Sequence, residues 1–239
     1  MKKIISFLAI IPVVVCTYTA SAQIGDTAAT HRQMDSLMKV LGGSMNNMMV
    51  QNTTDTAHFK DKEVFDDNKE LTLAELIEHP SDVSFININL NSNHIQALPE
   101  GFENLNDLTF LIICNLPKGS SFDFNGAINV LAKMPNIEEI YFMNNGKGLT
   151  SIPASIGEMH NLKRLSFFRN ALTSLPEELG NLDSLKELSL ELNQLAKLPS
   201  SMTKLKNLEK LQLDKNPISD AELNSLREAL PKCKITISK

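Results

Sequence analysis

Apolar residues recur along the C-terminal half of the chain with a period of 23 residues. From Leu162 the sequence reads LKRLSFFRNALTSLPEELGNLDS, and from Leu185 it reads LKELSLELNQLAKLPSSMTKLKN. Apolar residues occupy positions one, four, six and eleven of each copy, and Asn occupies position nine. Positions four and six are separated by one residue, which is the spacing of a strand with one buried face. The pattern therefore predicts one short strand per repeat.

Six copies of this pattern fill residues 85–218. They start at Phe85, Leu108, Ile137, Leu162, Leu185 and Leu208, with spacings of 23, 29, 25, 23 and 23 residues. Leu-Pro closes the first half at Leu98, Leu175 and Leu198. This period and these motifs resemble the leucine-rich repeat family, in its short-strand, Leu-Pro type. The resemblance implies an α/β repeat fold, a curved solenoid with a parallel sheet on its concave face.

The second repeat departs most from the pattern. Leu116 stands where Asn is expected, and the return segment over 120–136 is long enough to contain a helix over 125–134. We expect this repeat to be distorted, and its strand register is the least determined of the six.

Amphipathic helices are predicted at both ends of the repeats. The capping box Thr72–Glu75 begins a helix that ends at Pro80, and residues 71–84 form a predicted N-terminal cap. The capping box Ser219–Glu222 begins a second helix, and an alternating strand over 234–238 completes a C-terminal cap over 219–239. Such caps cover the apolar ends that a solenoid otherwise exposes to water.

The N-terminal residues have the features of a bacterial export signal. Lys2 and Lys3 precede an apolar run over 4–15, and Ala20-Ser21-Ala22 provides a cleavage site before Gln23. The apolar run is shorter than the roughly 20 residues of a spanning helix. Cys16 leaves a lipoprotein as the alternative, but Val13-Val14-Val15 does not resemble the sequence that precedes a lipidated cysteine. We therefore expect an exported protein, periplasmic or extracellular, with no integral membrane segment after cleavage.

Residues 23–70 are polar and are predicted to be flexible, with one short helix. The capping box Thr30–Gln33 precedes Met34, Leu37, Met38 and Leu41 at helical spacing, and Gly42 ends that run. The rest of this segment has no helical or strand period, which is typical of a tether.

The net charge of the chain and its lack of catalytic motifs disfavour several classes of function. Loss of residues 1–22 removes Lys2, Lys3 and no acid, so the formal charge changes from −5 to −7, which disfavours nucleic acid as a partner. The five histidines lack metal-ligand spacing, and no nucleophile or phosphate-loop motif occurs. We predict no enzyme activity, no metal and no cofactor.

Of the cysteines that remain after cleavage, Cys114 and Cys233 lie several strands apart, so a disulfide between them is not expected.

The Asn residues at position nine are predicted to be structural. Their side-chain amides can satisfy backbone groups where the chain leaves each strand, and stacking would align them as a ladder. The predicted ladder consists of Asn93, Asn145, Asn170, Asn193 and Asn216.

The strand residues between the leucines are predicted to face outward on the concave side. In the middle repeats they form an apolar patch flanked by arginine, a composition typical of interface centres. The predicted binding residues are Phe110, Ile112, Tyr141, Met143, Arg164, Phe168 and Arg169. The alternative is that the irregular second repeat folds over the patch and buries it.

Two hypotheses for function follow. The first is an exported, non-enzymatic module that binds another protein or a peptide on the concave face. The second is a structural accessory in which the repeats are a rigid spacer and residues 23–70 make the contact. Fold alone does not decide between them.

Overall fold

The computed structural model describes residues 62–66, 69–78, 80, 83–92 and 95–238. Within them, seven parallel strands form one sheet in the order β3-β4-β5-β6-β7-β8-β9. The strands are β3 Phe85–Asn89, β4 Phe110–Cys114, β5 Glu139–Met143, β6 Arg164–Ser166, β7 Glu187–Ser189, β8 Lys210–Gln212 and β9 Lys234–Thr236. Each strand pairs with the next one along the chain, as in a repeat solenoid. The predicted fold class is confirmed.

The return segments lie on the other side of the sheet, which we call the convex side. They are 3₁₀ helices over Phe102–Asn104, Ala154–Glu158, Glu177–Asn181 and Ser200–Lys204, and an α-helix, α2, over Phe124–Leu131. The long second repeat forms α2, which begins at its N-cap Asp123 and packs against the neighbouring 3₁₀ helices Phe102–Asn104 and Ala154–Glu158. A repeat of 29 residues therefore differs from its neighbours mainly in its convex segment.

The core between the sheet and the convex side is filled by the apolar repeat positions. Leu165, Leu188 and Leu211 are at most 1% exposed, and each such side chain contributes roughly 1.5–3 kcal/mol. Phe142 and Phe167 replace leucine at position six, and their rings stack with centroids 5.5 Å apart. The core is thus continuous from repeat to repeat.

The first repeat begins two residues earlier than the sequence indicated. Phe85 pairs with Phe110, which occupies position three, so position one is the buried Val83 and not Phe85. Ile86 and Ile88 are the inward residues. The prediction was wrong because Ile86, Ile88 and Leu90 alternate without interruption, and a slip of two residues leaves the same face buried.

The segment before the repeats contains more structure than its composition indicated. An antiparallel hairpin joins β1 Lys62–Asp66 to β2 Lys69–Thr72, within the segment 23–70 that was predicted to be flexible. The helix predicted over 71–80 is shorter, because α1 covers Leu73–Glu78 and follows β2 directly. Leu76 of α1 is buried, as an amphipathic helix in this position requires. The predicted helix over 34–41 and residues 1–60 as a whole lie outside the described residues.

The C-terminal segment contains the predicted helix and strand. Helix α3, Asp220–Ala229, starts at its N-cap Ser219, whose side chain accepts a hydrogen bond from the Glu222 backbone N–H. Leu223 and Leu226 of α3 are buried, and β9 continues the sheet beside β8. Cys233 precedes β9 as a free, half-buried thiol, so no disulfide joins it to Cys114.

Asn side chains at position nine connect each repeat to the one before it. The Asn193 Nδ2 donates to the Phe167 carbonyl at 2.7 Å and to the Leu190 carbonyl at 2.9 Å, while its Oδ1 accepts from the Leu172 N–H at 3.1 Å. Asn145, Asn170 and Asn216 are likewise buried and donate to the position-six carbonyl of the preceding repeat. Asn93 lies outside the described residues, and the corrected register of the first repeat makes the exposed Asn91 its position-nine residue, so the placement of Asn93 in the ladder was wrong.

A second row of asparagines was missed in the sequence. These residues immediately precede position one and donate to a backbone carbonyl of the preceding repeat: Asn136 to Asn106, Asn161 to Pro135 and Asn207 to Asp183, at 2.7–2.8 Å. The sequence does contain this pattern, since Asn immediately precedes Ile137, Leu162 and Leu208. The chain is thus tied across repeats at the start of each such strand as well as at its end.

Replacement of Asn193 by Ala should destabilise the fold by about 2–4 kcal/mol, because it leaves the Phe167 carbonyl and the Leu172 N–H without this partner, while the Leu190 carbonyl keeps its bond from Asn216. Chemical denaturation followed by circular dichroism measures this loss. Asn181→Ala, at an exposed convex position, is the matched control and should change stability by less than about 0.5 kcal/mol. Equal effects of the two substitutions would contradict the ladder.

Glycine allows the convex 3₁₀ helices to stack closely. A Cβ at Gly157 would lie 2.5 Å from the Glu178 carbonyl oxygen, and one at Gly180 would lie 2.4 Å from that of Ser201. The equivalent residue in the last 3₁₀ helix is Thr203, which is followed by α3 and not by another 3₁₀ helix. The glycine is therefore a requirement of repeat-to-repeat packing.

Gly180→Ala should destabilise the protein by about 1–3 kcal/mol, because the methyl group has to displace the backbone of the next repeat. The unfolding midpoint in urea measures the change. Thr203→Ala is the control at the equivalent place and should remain within about 0.5 kcal/mol of the parent. A Gly180→Ala protein as stable as the parent would show that the repeats can separate without cost.

Candidate binding surface

The outward side of the sheet, which we call the concave face, consists of three rows of side chains. They come from positions three, five and seven of each repeat, and neighbouring members of a row are about 4.8 Å apart because the strands are in register. Row three continues from Glu139 through Arg164, Glu187 and Lys210 to Lys234. Acidic and basic side chains alternate from Glu139 to Lys210, and within this row Glu139 and Arg164 form an ion pair across strands.

Glu139, Tyr141 and Arg164 form a hydrogen-bonded group at the centre of the face. The Arg164 guanidinium forms an ion pair with the Glu139 carboxylate, and the Tyr141 hydroxyl donates to Glu139 Oε2 at 3.1 Å. Burial raises the pKa of the Tyr141 hydroxyl, and the negative charge of Glu139 adds to this effect. The hydrogen bond to Glu139 raises the pKa of Arg164. Tyr141 is therefore a neutral donor, and the Arg164 guanidinium beside it remains charged.

Aromatic rings follow one another across β3, β4 and β5. The centroids of Phe85 and Phe110 are 4.8 Å apart, and those of Phe110 and Tyr141 are 5.3 Å apart in an edge-to-face arrangement. Phe85 was not predicted to lie on this face, because the two-residue register error placed it at position one. The aromatic row is thus longer than the sequence indicated.

The apolar patch is less exposed than predicted. Ile112 is 0% exposed, Met143 1% and Phe110 9%, whereas Tyr141 and Phe168 are half-buried. Alternation along a strand fixes the face on which a side chain lies but not what packs against that face. Ile112 and Met143 are therefore not available to a partner in this structure.

The second repeat does not account for this burial in the way the alternative proposed. Its helix α2 contributes Phe124, Ala127, Ile128 and Leu131 to the core on the convex side of the sheet. Phe110, Ile112 and Met143 do not belong to that core. Of the predicted binding residues, Tyr141, Arg164 and Phe168 remain accessible on the face, and Arg169 lies beside them.

The face becomes polar towards the C-terminus. Row five consists there of Ser166, Ser189 and Gln212, and in row seven the Glu191 carboxylate accepts from the Ser189 hydroxyl at 3.2 Å and from Gln212 Nε2 at 2.9 Å. Burial, with a smaller contribution from Asp214, raises the pKa of Glu191. Row five is thus polar along these repeats, in contrast to the aromatic row at β3, β4 and β5.

Position eight forms the rim beside row seven and has a left-handed backbone in five consecutive repeats. The φ angles are 61° at Asn115, 58° at Asn144, 56° at Arg169, 56° at Leu192 and 59° at Lys215. In this conformation each N–H continues the sheet ladder, as when Leu192 donates to the Asp214 carbonyl at 2.8 Å. Asn adopts it readily, whereas other residues incur roughly 1–2 kcal/mol. Leu192 and Lys215 were missed in the sequence, although Asn at two of the five positions was a signal for this backbone.

Other features of the described residues are less suited to a functional site. A polar depression of about 350 Å³ at the edge of the sheet is lined by Asp107, Glu138 and several Asn side chains, but Glu138 is paired with Lys163 at 2.7 Å. In the part of the chain that the structure describes, no three His, Cys, Asp or Glu side chains are grouped as a metal ion would require. The helices among these same residues are too short or too polar to cross a bilayer.

Two solved structures are similar to this chain. A leucine-rich repeat protein of Leptospira interrogans is 25% identical, with 67% of this chain and 50% of that one covered and a TM-score of 0.38. TLR13, in a crystal structure titled as its complex with ssRNA13, is 24% identical, with 70% of this chain and 23% of that one covered and a TM-score of 0.55. The chain thus spans half of the first protein and under a quarter of the second. No protein-family model and no curated protein matches it.

Glu191→Gln should stabilise the protein at neutral pH. The raised pKa means that the folded state disfavours the ionised carboxylate, so ionisation costs stability above the folded pKa. The advantage of Gln should shrink as the pH falls through the folded pKa and disappear below the ordinary value of 4.5, where the parent carboxyl becomes protonated in both states. Urea midpoints measured from pH 4 to pH 8 test this dependence.

The exposed convex residue Glu178 provides the control for this titration. Glu178→Gln changes an exposed side chain and should alter the stability by less than about 0.5 kcal/mol. A Glu191→Gln protein less stable than the parent at pH 7 would mean that the carboxylate bonds to Ser189 and Gln212 outweigh its desolvation.

Proposed function

We propose that this chain, which has the fold of a leucine-rich repeat solenoid, is an exported, non-enzymatic module that binds another protein or a peptide on its concave face. The observation that carries the proposal is the half-buried pair Tyr141 and Phe168 beside the ion-paired Arg164. Aromatic and arginine side chains are enriched at the centres of protein interfaces. An open face of this kind suits a protein surface or a peptide better than a small substrate, which needs an enclosing pocket.

The size of the face supports a partner of protein dimensions. Seven strands at about 4.8 Å spacing extend over roughly 29 Å, which is comparable with the width of a small domain. Charged residues in row three alternate in sign from Glu139 to Lys210, so they fix the orientation of a partner more than they add affinity. The affinity is expected to come from Tyr141 and Phe168.

Export is part of this proposal and rests on residues 1–22. Two lysines, an apolar run and Ala20-Ser21-Ala22 are the features that an export pathway recognises. Cleavage before Gln23 is the expected processing, with the product periplasmic or extracellular.

The double substitution Tyr141→Ser and Phe168→Ser should abolish capture of the partner by crosslinking from native extracts, and should weaken its binding about thirtyfold in calorimetry once it is identified. Circular dichroism has to show that the variant is folded. The matched control is Glu178→Ser with Asn181→Ser on the convex side, which should capture the partner as the parent does. Equal capture by both double variants would refute the concave site and direct attention to the convex side or to residues 23–70.

A further inference from the structure

Three residues on the rim beside row seven combine an unfavourable backbone with an unusual surface. Arg169, Leu192 and Lys215 have φ angles of 56°, 56° and 59°, at the position where Asn115 and Asn144 stand in the two preceding repeats. Leu192 is 40% exposed and is the one large hydrophobic residue of the described chain that is exposed to this degree. Asn would satisfy the same backbone more easily. Stability therefore does not explain the choice of Arg, Leu and Lys here.

The three side chains are consecutive across the sheet. The Arg169 N–H donates to the Glu191 carbonyl, the Leu192 N–H to the Asp214 carbonyl and the Lys215 N–H to the Ser238 carbonyl, all at 2.8–2.9 Å. The strip thus presents a cation, an apolar group and a cation in steps of about 4.8 Å. We call Arg169, Leu192 and Lys215 the rim strip.

The charge of the strip determines the chemistry that fits it. Arg169 forms no ion pair with the described residues, and its guanidinium is half-exposed. The carboxylate of Glu191, one residue before Leu192, is directed along the concave face to Ser189 and Gln212 and away from the rim. Asp214, which precedes Lys215, is half-buried in row seven. Arg169 and Lys215 place cationic groups on either side of the exposed Leu192, and acidic groups on either side of an apolar residue complement them.

The spacing of the strip matches one face of an α-helix. Two strand steps cover about 9.6 Å, and seven helical residues rise about 10.5 Å, with residue i+4 on the same face between them. We propose that the rim strip receives a helix of the partner protein that carries Glu or Asp at positions i and i+7 and an apolar residue at i+4. This inference rests on the proposed binding function and specifies the chemistry of the partner.

The probe is an Ala- and Gln-rich helical peptide of about 18 residues with Glu at i and i+7 and Leu at i+4. It is titrated at low salt into the ¹⁵N-labelled protein, and the shifts of the backbone amides are followed by NMR. The strip predicts saturable shifts centred on Arg169, Leu192 and Lys215. A peptide with Lys in place of both Glu residues, and one with Ser in place of Leu, should each bind at least fivefold more weakly.

Asparagine substitutions separate binding from stability. Arg169→Asn and Leu192→Asn should each weaken peptide binding by about fivefold to tenfold, yet raise the unfolding temperature by about 2–4 °C because Asn suits the left-handed backbone. Gln194→Asn, at an exposed position next to the strip, is the control and should change neither quantity. Variants that bind the peptide as the parent does, or a basic peptide that binds best, would overturn the inference.

The same variants distinguish this inference from the proposed function. Suppose that the Tyr141→Ser/Phe168→Ser variant fails to capture the partner from extracts, whereas Leu192→Asn still captures it. The concave site is then supported, and the rim strip does not contribute to binding. If capture is lost by Leu192→Asn alone, then the rim strip stands and the aromatic pair is not the site.

Discussion

The structure depends on how the chain leaves each strand. A repeat of 23 residues has to turn its backbone out of the sheet inside a close-packed stack, where an unpaired carbonyl or N–H would cost about 1–3 kcal/mol. Position eight provides part of the solution, since its left-handed backbone keeps the N–H in the sheet ladder. Position nine completes it, since the Asn side chain donates to the position-six carbonyl of the preceding repeat. The parallel register of the strands follows from these contacts.

The fold could be predicted from the sequence wherever one residue type had one physical role. Asn170, Asn193 and Asn216 fixed the phase of their repeats, because no other residue at position nine makes the same set of bonds. The first repeat has no described Asn ladder contact, and Ile86, Ile88 and Leu90 alternate through it, so its phase was wrong by two residues. The hairpin β1–β2 was missed because a polar strand pair has no apolar period to reveal it.

The binding surface was less predictable than the fold for a related reason. Alternation placed Ile112, Tyr141, Met143 and Arg164 on the correct side of the sheet, but exposure depends on packing beyond the strand, and Ile112 and Met143 are buried. Hydrogen-bond partners such as Glu139 for Tyr141 depend on register between strands, which a pattern within one repeat does not contain. Leu192 was missed because its significance comes from its backbone conformation, which is a property of the fold.

A repeat solenoid can separate the residues that hold it together from those that vary on its surface. The leucines, the Asn ladder and Gly180 each contact the next repeat, so a change in any of them affects the stack. Side chains at positions three, five, seven and eight lie on the outward face and vary from repeat to repeat, with Ser, Glu, Phe and Arg all present. Position eight differs from the other outward positions, because its left-handed backbone has a lower energy with Asn than with most other residues. The presence of Arg, Leu and Lys at three consecutive copies, in a backbone that favours Asn, is the reason that we propose recognition at the rim strip.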